Sequence, residues 1–244
     1  MGTLLLAALY WGGDLIEMER AVDLACDLLD EKTDKAHLLF VGRHDAEPPS
    51  VELIEHTKEK FVSVEHWRCT RSGTGYPSGC NDLAYGLFQY VGEQRRFNNR
   101  YRDVDAVLIF ESDCAITRKG WVEELLNEWE REKAKKRTIV GTIQPKGRWG
   151  NDVDYHVNAV AMYHPDILHV LPGLAGGPPD IGWDYHHRHA MLTQVGDTKL
   201  IKLDFQKKHI TPEELFDQNK DVLIYHGVKS DDAIRAVRER YQLK

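Results

Sequence analysis

A chain of 244 residues is long enough to bury one complete hydrophobic core and too short for two domains of ordinary size. Its composition, 42% hydrophobic and 29% charged, excludes a disordered or fibrous protein. With 32 Lys and Arg against 39 Asp and Glu the net charge is −7, so bulk charge does not hold it on nucleic acid or an acidic membrane, and either contact would need a local basic patch.

The apolar run Thr3–Trp11 has no basic residue before it and falls well short of the ~20 residues of a membrane span, which predicts neither a signal peptide nor a span. Four cysteines (Cys26, Cys69, Cys80, Cys114) form no C-x-x-C pair and read as buried or free thiols in a reducing cytoplasm.

The first half alternates between strands and helices. Leu4–Tyr10 is a near-continuous apolar run, as in a strand buried on both faces. Asp14 opens a helix, with Glu17 at capping-box spacing and a buried stripe of Leu15, Met18, Val22, Cys26 and Leu29. His37–Val41 is the next strand, a helix starts at Val51, and Phe61–Val64 is a third strand. Arg68–Ser78 is a Gly/Ser/Thr-rich loop leading into a helix over Gly79–Tyr90. The sharpest strand is Ala106–Phe110, followed by a Glu/Lys-rich helix over Trp121–Lys135 and a strand over Thr138–Ile143. Beyond it, Val157–Tyr163, Leu200–Leu203 and Val222–Tyr225 read as strands, Leu171–Pro179 as a loop, and Trp183–Leu192 and Asp231–Tyr241 as helices. Strands interleaved with helices predict a mixed, mostly parallel α/β sheet with helices on both faces, in one domain spanning residues 1–244.

Glu111-Ser112-Asp113 ends the sharpest strand. Two carboxylates there supply hard oxygen ligands at the edge where open α/β sheets bind ligands, and Mg2+ or Mn2+ takes one or two carboxylates plus substrate phosphates. The same acids would also serve simply to solubilise a strand end and cap the next helix. His226, followed by Gly227, Val228 and Lys229, ends another apolar run, where a neutral imidazole can ligate a metal while an ammonium meets a phosphate. Taken alone, that position reads more simply as a satisfied core or surface histidine near a helix N-terminus capped by Ser230. Asp184, after the rigid Pro178–Gly182 loop, starts a helix and has the chemistry of a general base, though helix starts commonly carry an acid. His186, His187 and His189 lack a carboxylate or thiol partner at matching spacing and read as a solvated or acceptor-facing surface. Gly75–Asn81 runs from a loop into a helix N-terminus, whose free N–H groups, near Gly79 and Asn81, suit a phosphate. Arg95, Arg96, Arg100 and Arg102, interleaved with Phe97 and Tyr101, form a basic-aromatic patch.

In their order along the chain these features resemble a nucleotide-sugar-dependent glycosyltransferase of the GT-A fold, a Rossmann-related architecture. Glu111-Ser112-Asp113 stands in place of that family's D-x-D, Gly182-Trp183-Asp184 resembles its later acidic motif, and His226-Gly227-Val228-Lys229 resembles its C-terminal metal histidine. The resemblance implies a nucleotide-binding half up to about residue 113 and an acceptor-side half from about 114 to 244. It implies that Asp113 and His226 hold Mn2+ or Mg2+ against a diphosphate, with Lys229 as a second positive contact. Glu111 departs from the family's Asp, and its longer arm leaves open contact with the metal, the ribose or a metal-bound water. Tyr10, Trp11 and Asp45 would face base and ribose, with Gly79, Asn81 and Ser112 also toward the donor, expected to be a UDP-sugar. Asp184 would deprotonate the acceptor hydroxyl and invert the anomeric centre.

Two other readings stay open: a nucleotidyltransferase making a sugar nucleotide, and a non-catalytic nucleotide- or carbohydrate-binding module. The first is opposed by Tyr10-Trp11-Gly12-Gly13-Asp14, which carries no cation after the first strand. The arginine patch adds an acceptor hypothesis, a hydroxymethylated pyrimidine in DNA, as in phage DNA-modifying glucosyltransferases.

Overall fold

The computed structural model describes residues 2–149, 152–207, 209–228 and 230–243. In chain order the elements are β1 (Thr3–Tyr10), α1 (Leu15–Asp27), β2 (Ala36–Gly42), α2 (Val51–Lys60), β3 (Val64–Arg68), α3 (Ser78–Phe97), β4 (Val104–Glu111), β5 (Cys114–Ile116) and α4 (Trp121–Lys133). A long hairpin follows, β6 (Ile139–Trp149) and β7 (Asp152–Tyr163), then short turns α5 (Ile167–Val170), a 3-10 turn Pro172–Ala175, α6 (Trp183–His186) and α7 (Arg188–Leu192). The chain continues through β8 (Val195–Asp197), β9 (Ile201–Lys207), a π-helical turn Glu214–Gln218, β10 (Ile224–Val228) and α8 (Asp232–Tyr241).

Seven strands form one sheet in the order β3-β2-β1-β4-β7-β6-β8. It is parallel except where β7 pairs with β4 and with β6. Chain order reverses beside β1, whose neighbours are β2 on one side and β4 on the other, and such a switch point opens a crevice at the carboxyl edge. A second, three-stranded sheet, β5-β10-β9, stands at that same edge.

The apolar runs form strands because both sheet faces are covered. Leu4, Leu6, Ala8, Phe40, Leu108 and Phe110 pack toward α1 and α4, while Leu5, Ala7, Leu9, Val41, Val107 and Ile109 pack toward α3. Residues alternate between the faces, as the two-residue period of a strand requires. On the first face Trp121 and Trp129 are fully buried, each contributing about 4–6 kcal/mol of transfer free energy, and Trp121 Nε1 donates to Ala25 O at 3.2 Å.

Several boundaries differ from the sequence expectation. The third strand starts at Val64 instead of Phe61, because Phe61 closes α2 with its N–H on Thr57 O and packs its ring against Trp121. α3 runs on past Tyr90 to Phe97 and carries Arg95 and Arg96. The Trp183–Leu192 helix breaks at His187 into two short turns, and β8 lies in a stretch with no apolar run to announce it. Asp14 does occupy the N-cap position of α1, but its side chain makes no capping hydrogen bond. No helix of the described residues is long and apolar enough to cross a membrane.

Candidate active site

A cleft of about 580 Å3 lies at the carboxyl ends of β1 and β4, walled by the start of α3, by β7, by α6 and by β10. Glu111 is the last residue of β4, Ser112 and Asp113 make a turn, and Cys114 opens β5. β10 pairs antiparallel with β5 so that His226 sits opposite Cys114, and this register carries the imidazole across more than a hundred residues to the acidic turn. His226 Nε2 lies 3.0 Å from Glu111 Oε2 and 3.0 Å from Asp113 Oδ1.

His226 is 5% exposed. Burial opposes its charged form, but the hydrogen bonds and charges of Asp113 and Glu111 together outweigh that and raise the imidazole to about 9. Its Nδ1 lies 3.0 Å from Asn158 Oδ1. The donor set suits a hard divalent cation. Neighbouring ligands of an octahedral ion with bonds of ~2.1 Å stand ~3 Å apart, which is the spacing of these nitrogen and oxygen atoms. Asp113, Cys114 and His226 each present a ligand atom within 4.8 Å of the others, and of these the carboxylate and imidazole match Mn2+ or Mg2+ better than the thiol does.

Gly227 clasps this corner. Its N–H donates to Asp113 O at 3.2 Å, and the β9–β10 ladder shifts register between His226 and Val228. Its φ is +95°, and a Cβ there would stand 2.7 Å from Asp204 O. Gly227→Ala is therefore expected to cost about 1–3 kcal/mol of stability, measured by urea unfolding, and an unchanged midpoint would contradict this strain.

Asp14, which sequence reasoning saw only as a helix cap, bridges two sides of the cleft floor. Its Oδ1 accepts from Trp11 N–H at 2.8 Å and its Oδ2 from the Ser112 hydroxyl at 2.7 Å. Burial holds its carboxyl above the usual range, against the lowering pull of those two hydrogen bonds. Ser112 thus tethers the acidic turn to the loop after β1.

The donor-side expectations divide. Trp11 lines the cleft with 46% of its surface exposed, and the Arg43 guanidinium stacks 5.4 Å from its ring centroid. Arg43 forks onto both oxygens of Asp45 at 2.6 Å, so Asp45 stands behind Trp11 instead of lining the cleft. A Cβ at Gly13 would stand 2.0 Å from the Trp11 ring. Tyr10 borders the cleft, but its ring is buried in the core and its hydroxyl donates to Glu47 O at 3.0 Å, so it offers no face to a base.

Asn81 also lines the cleft, with its carboxamide already engaged. It donates to Pro178 O at 3.3 Å and Ile181 O at 2.9 Å and accepts from Trp183 N–H at 2.8 Å, latching the Gly/Pro loop to α3. Gly79 lies outside the lining, packed under Gly73 and Thr74. Lys229 lies outside the described residues.

The Asn81 latch sets Asp184 on the cleft wall. Asp184 Oδ1 accepts from Tyr185 N–H at 2.8 Å, and Oδ2 lies 3.8 Å from His156 Nε2. Tyr76 stands at the rim beside it, largely exposed but with its phenol turned to the cleft wall, where desolvation and then the charge of Asp184 raise it.

Cys80 is the exposed cysteine of the four. The cleft walls still desolvate its sulfur, and the charges of Glu111, Asp14 and Asp184 add to that, pushing the thiol up to about 11. Alkylation by iodoacetamide near pH 7.5 is expected to run ~100-fold slower than on free cysteine, followed by mass spectrometry. Labelling as fast as a free thiol would contradict this environment.

The arginine patch does not belong to the cleft. Arg95 lies more than ~20 Å along α3 from Cys80, and Arg100 and Arg102 precede β4 at the opposite edge of the sheet. Arg95 is spent on Tyr101 O, Val104 O and Asp166, Arg96 on Asp166, and Arg100 on Glu65. A second acid-histidine group, Asp23, Asp27 and His56, is bound from outside by Arg238, which donates to both aspartates.

Sequence reasoning missed Asp14, Tyr76, Gln144, His156 and Asn158, all of which line the cleft. The one available signal was in β7, where Asp154, His156 and Asn158 alternate ahead of an apolar strand end and so share a face.

No protein-family profile matches the sequence, and no curated protein is similar enough to count as a relative. Solved structures do match. WbbM, a bifunctional glycosyltransferase, aligns with a TM-score of 0.56 at 10% identity over 100% of this chain and 52% of its own. Residues 1–349 of S. aureus TarS align at 0.54 and 10% identity, over 98% of this chain and 64% of that one. Mouse xyloside xylosyltransferase 1 aligns at 0.51 and 11% identity, over 95% and 98% of the two chains. The chain thus spans about half the length of WbbM and nearly two thirds of the TarS chain. Identities this low speak to architecture alone, and on that level the chain has the GT-A-like fold of these glycosyltransferases.

Proposed function

We propose that this chain transfers a sugar from a nucleoside-diphosphate sugar, a UDP-sugar by preference, to an acceptor hydroxyl, with Mn2+ or Mg2+ as cofactor. The observation that carries this reading is the meeting of His226 Nε2 with Glu111 and Asp113, 3.0 Å from each, inside the cleft at the switch point. Asp113 and His226 would hold the cation, with Glu111 at its edge directly or through water. When bound, such a cation offsets the negative charge that grows on the diphosphate as it leaves.

The protein groups divide the remaining work. Trp11, stiffened by Arg43, which Asp45 holds in place, stacks on the base. Ser112 and Asp14 keep the acidic turn in register. Asp184 takes the proton of the acceptor hydroxyl as its oxygen attacks the anomeric carbon opposite the departing phosphate, which inverts that centre. Residues 1–113 supply the donor wall and the later residues the acceptor wall, apart from His226, which crosses over. The proposal does not extend to DNA as acceptor, because the arginine patch that suggested it lies far from the cleft and Arg95, Arg96 and Arg100 are engaged within the chain.

A thermal-shift screen of nucleoside diphosphates, each with and without Mn2+, tests this. A ligand binding only the folded state adds ~2.7 kcal/mol at a hundred times its dissociation constant. The expected result is a metal-dependent shift that is largest with UDP. No shift with any nucleoside diphosphate would overturn the proposal.

A further inference from the structure

One face of β7 carries Asp154, His156 and Asn158 at alternate positions, and His156 and Asn158 line the cleft. Asp154 accepts from Arg188 Nε at 3.1 Å and from the Tyr185 hydroxyl. His156 faces Asp184. Asn158 faces His226 and is 7% exposed.

The orientation of the Asn158 carboxamide is decided by the backbone. Val160 N–H, on a fully buried residue, points at the Asn158 atom 3.0 Å away, and an N–H needs an acceptor there. That atom is therefore the carboxamide oxygen, and its second lone pair faces His226 Nδ1 at 3.0 Å. A carbonyl oxygen cannot donate, so Nδ1 must carry the hydrogen. The tautomer of His226 follows without reference to any ligand: Nδ1 is protonated, and in the neutral ring the free lone pair is on Nε2, aimed at Glu111 and Asp113.

We propose that Asn158 is the positioning residue of the metal site, its carboxamide oxygen holding the Nδ1–H of His226 and committing Nε2 to the cation. This rests on the reading that Asp113 and His226 bind a divalent metal. Partners of this kind, which orient a ligating imidazole from its other nitrogen, typically matter 10–100-fold in metal affinity.

Two measurements test it. In protein labelled with 15N-histidine, NMR at neutral and alkaline pH should find His226 protonated at Nδ1 in both, with that proton sheltered from exchange. Finding Nδ1 unprotonated at alkaline pH would overturn the proposal whether or not a metal binds. The second is Mn2+ binding followed by EPR in the full chain, for the natural protein, Asn158→Leu and Asn158→Asp, with circular dichroism to report folding. Asn158→Leu should bind Mn2+ 10–100-fold more weakly. Asn158→Asp keeps an acceptor for both N–H groups and should bind within threefold of the natural protein or more tightly. A tenfold loss in a folded Asn158→Asp variant, or no loss in Asn158→Leu, would overturn the positioning role. Absence of Mn2+ binding by the natural protein at this site, with Nδ1 still protonated, would refute the metal reading and with it the metal-positioning role, while the tautomer would stand.

Discussion

Asp113→Ala is expected to lower sugar transfer from a UDP-sugar by ~100- to 1,000-fold, the cost of removing one electrostatic contact to charge that develops in the transition state. Asp113 lies at the turn between β4 and β5, where its side chain is 13% exposed and its backbone carbonyl already receives Gly227 N–H. Because that backbone contact survives the substitution, the fold should persist and the loss should appear in kcat/KM. Glu111→Ala should cost less, since its side chain is 35% exposed at the edge of the site. The comparison is read from initial rates at saturating Mn2+. Equal activity of Asp113→Ala and the natural protein would remove Asp113 from the mechanism.

The second large effect is on stability against pH. His226 titrates near 9 in the folded protein against 6.5 as an ordinary histidine, because Asp113 and Glu111 together outweigh its burial. A group whose folded value is raised binds its proton more tightly when folded. Its stabilisation is therefore complete below pH 6.5 and is lost as the pH rises through about 9. The shift corresponds to about 3 kcal/mol. Urea unfolding in the presence of a chelator should show that fall between pH 6.5 and 9, and His226→Gln should lack it. A cation held by the neutral imidazole should oppose the fall, because metal and proton compete for Nε2. Parallel pH profiles for the natural protein and the variant would contradict the pairing of His226 with the two acids.

Trp11 and Tyr10 show how far a sequence reaches. Both end the first apolar run, and the family resemblance implied that both face a base, although adjacent strand residues point opposite ways. Packing sent Tyr10 into the core, where its hydroxyl found Glu47 O, and left Trp11 at the surface under Arg43. Asp14 and Asn81 show the same thing with polar groups. A helix-start acid is legible from spacing, but its choice of Ser112 and Trp11 over its own helix depends on where β4 ends. The side chain of Asn81 was drawn to the Pro178–Trp183 loop, a hundred residues on.

What the sequence determined by itself was the succession of buried strands and covering helices, the acidic turn after the fourth strand and the histidine that ends a late one. These are written in residue periods and in polarity changes over a few positions, which local chain geometry obeys. What only the tertiary structure decided was partnership: that β10 pairs with β5 in the register setting His226 opposite Cys114, that Asn158 stands behind the imidazole, and that the arginine patch falls at the far edge of the sheet. The physical reason is that a side chain's partner is selected by the packing of elements far apart in sequence, and no local period records which strand will lie beside which.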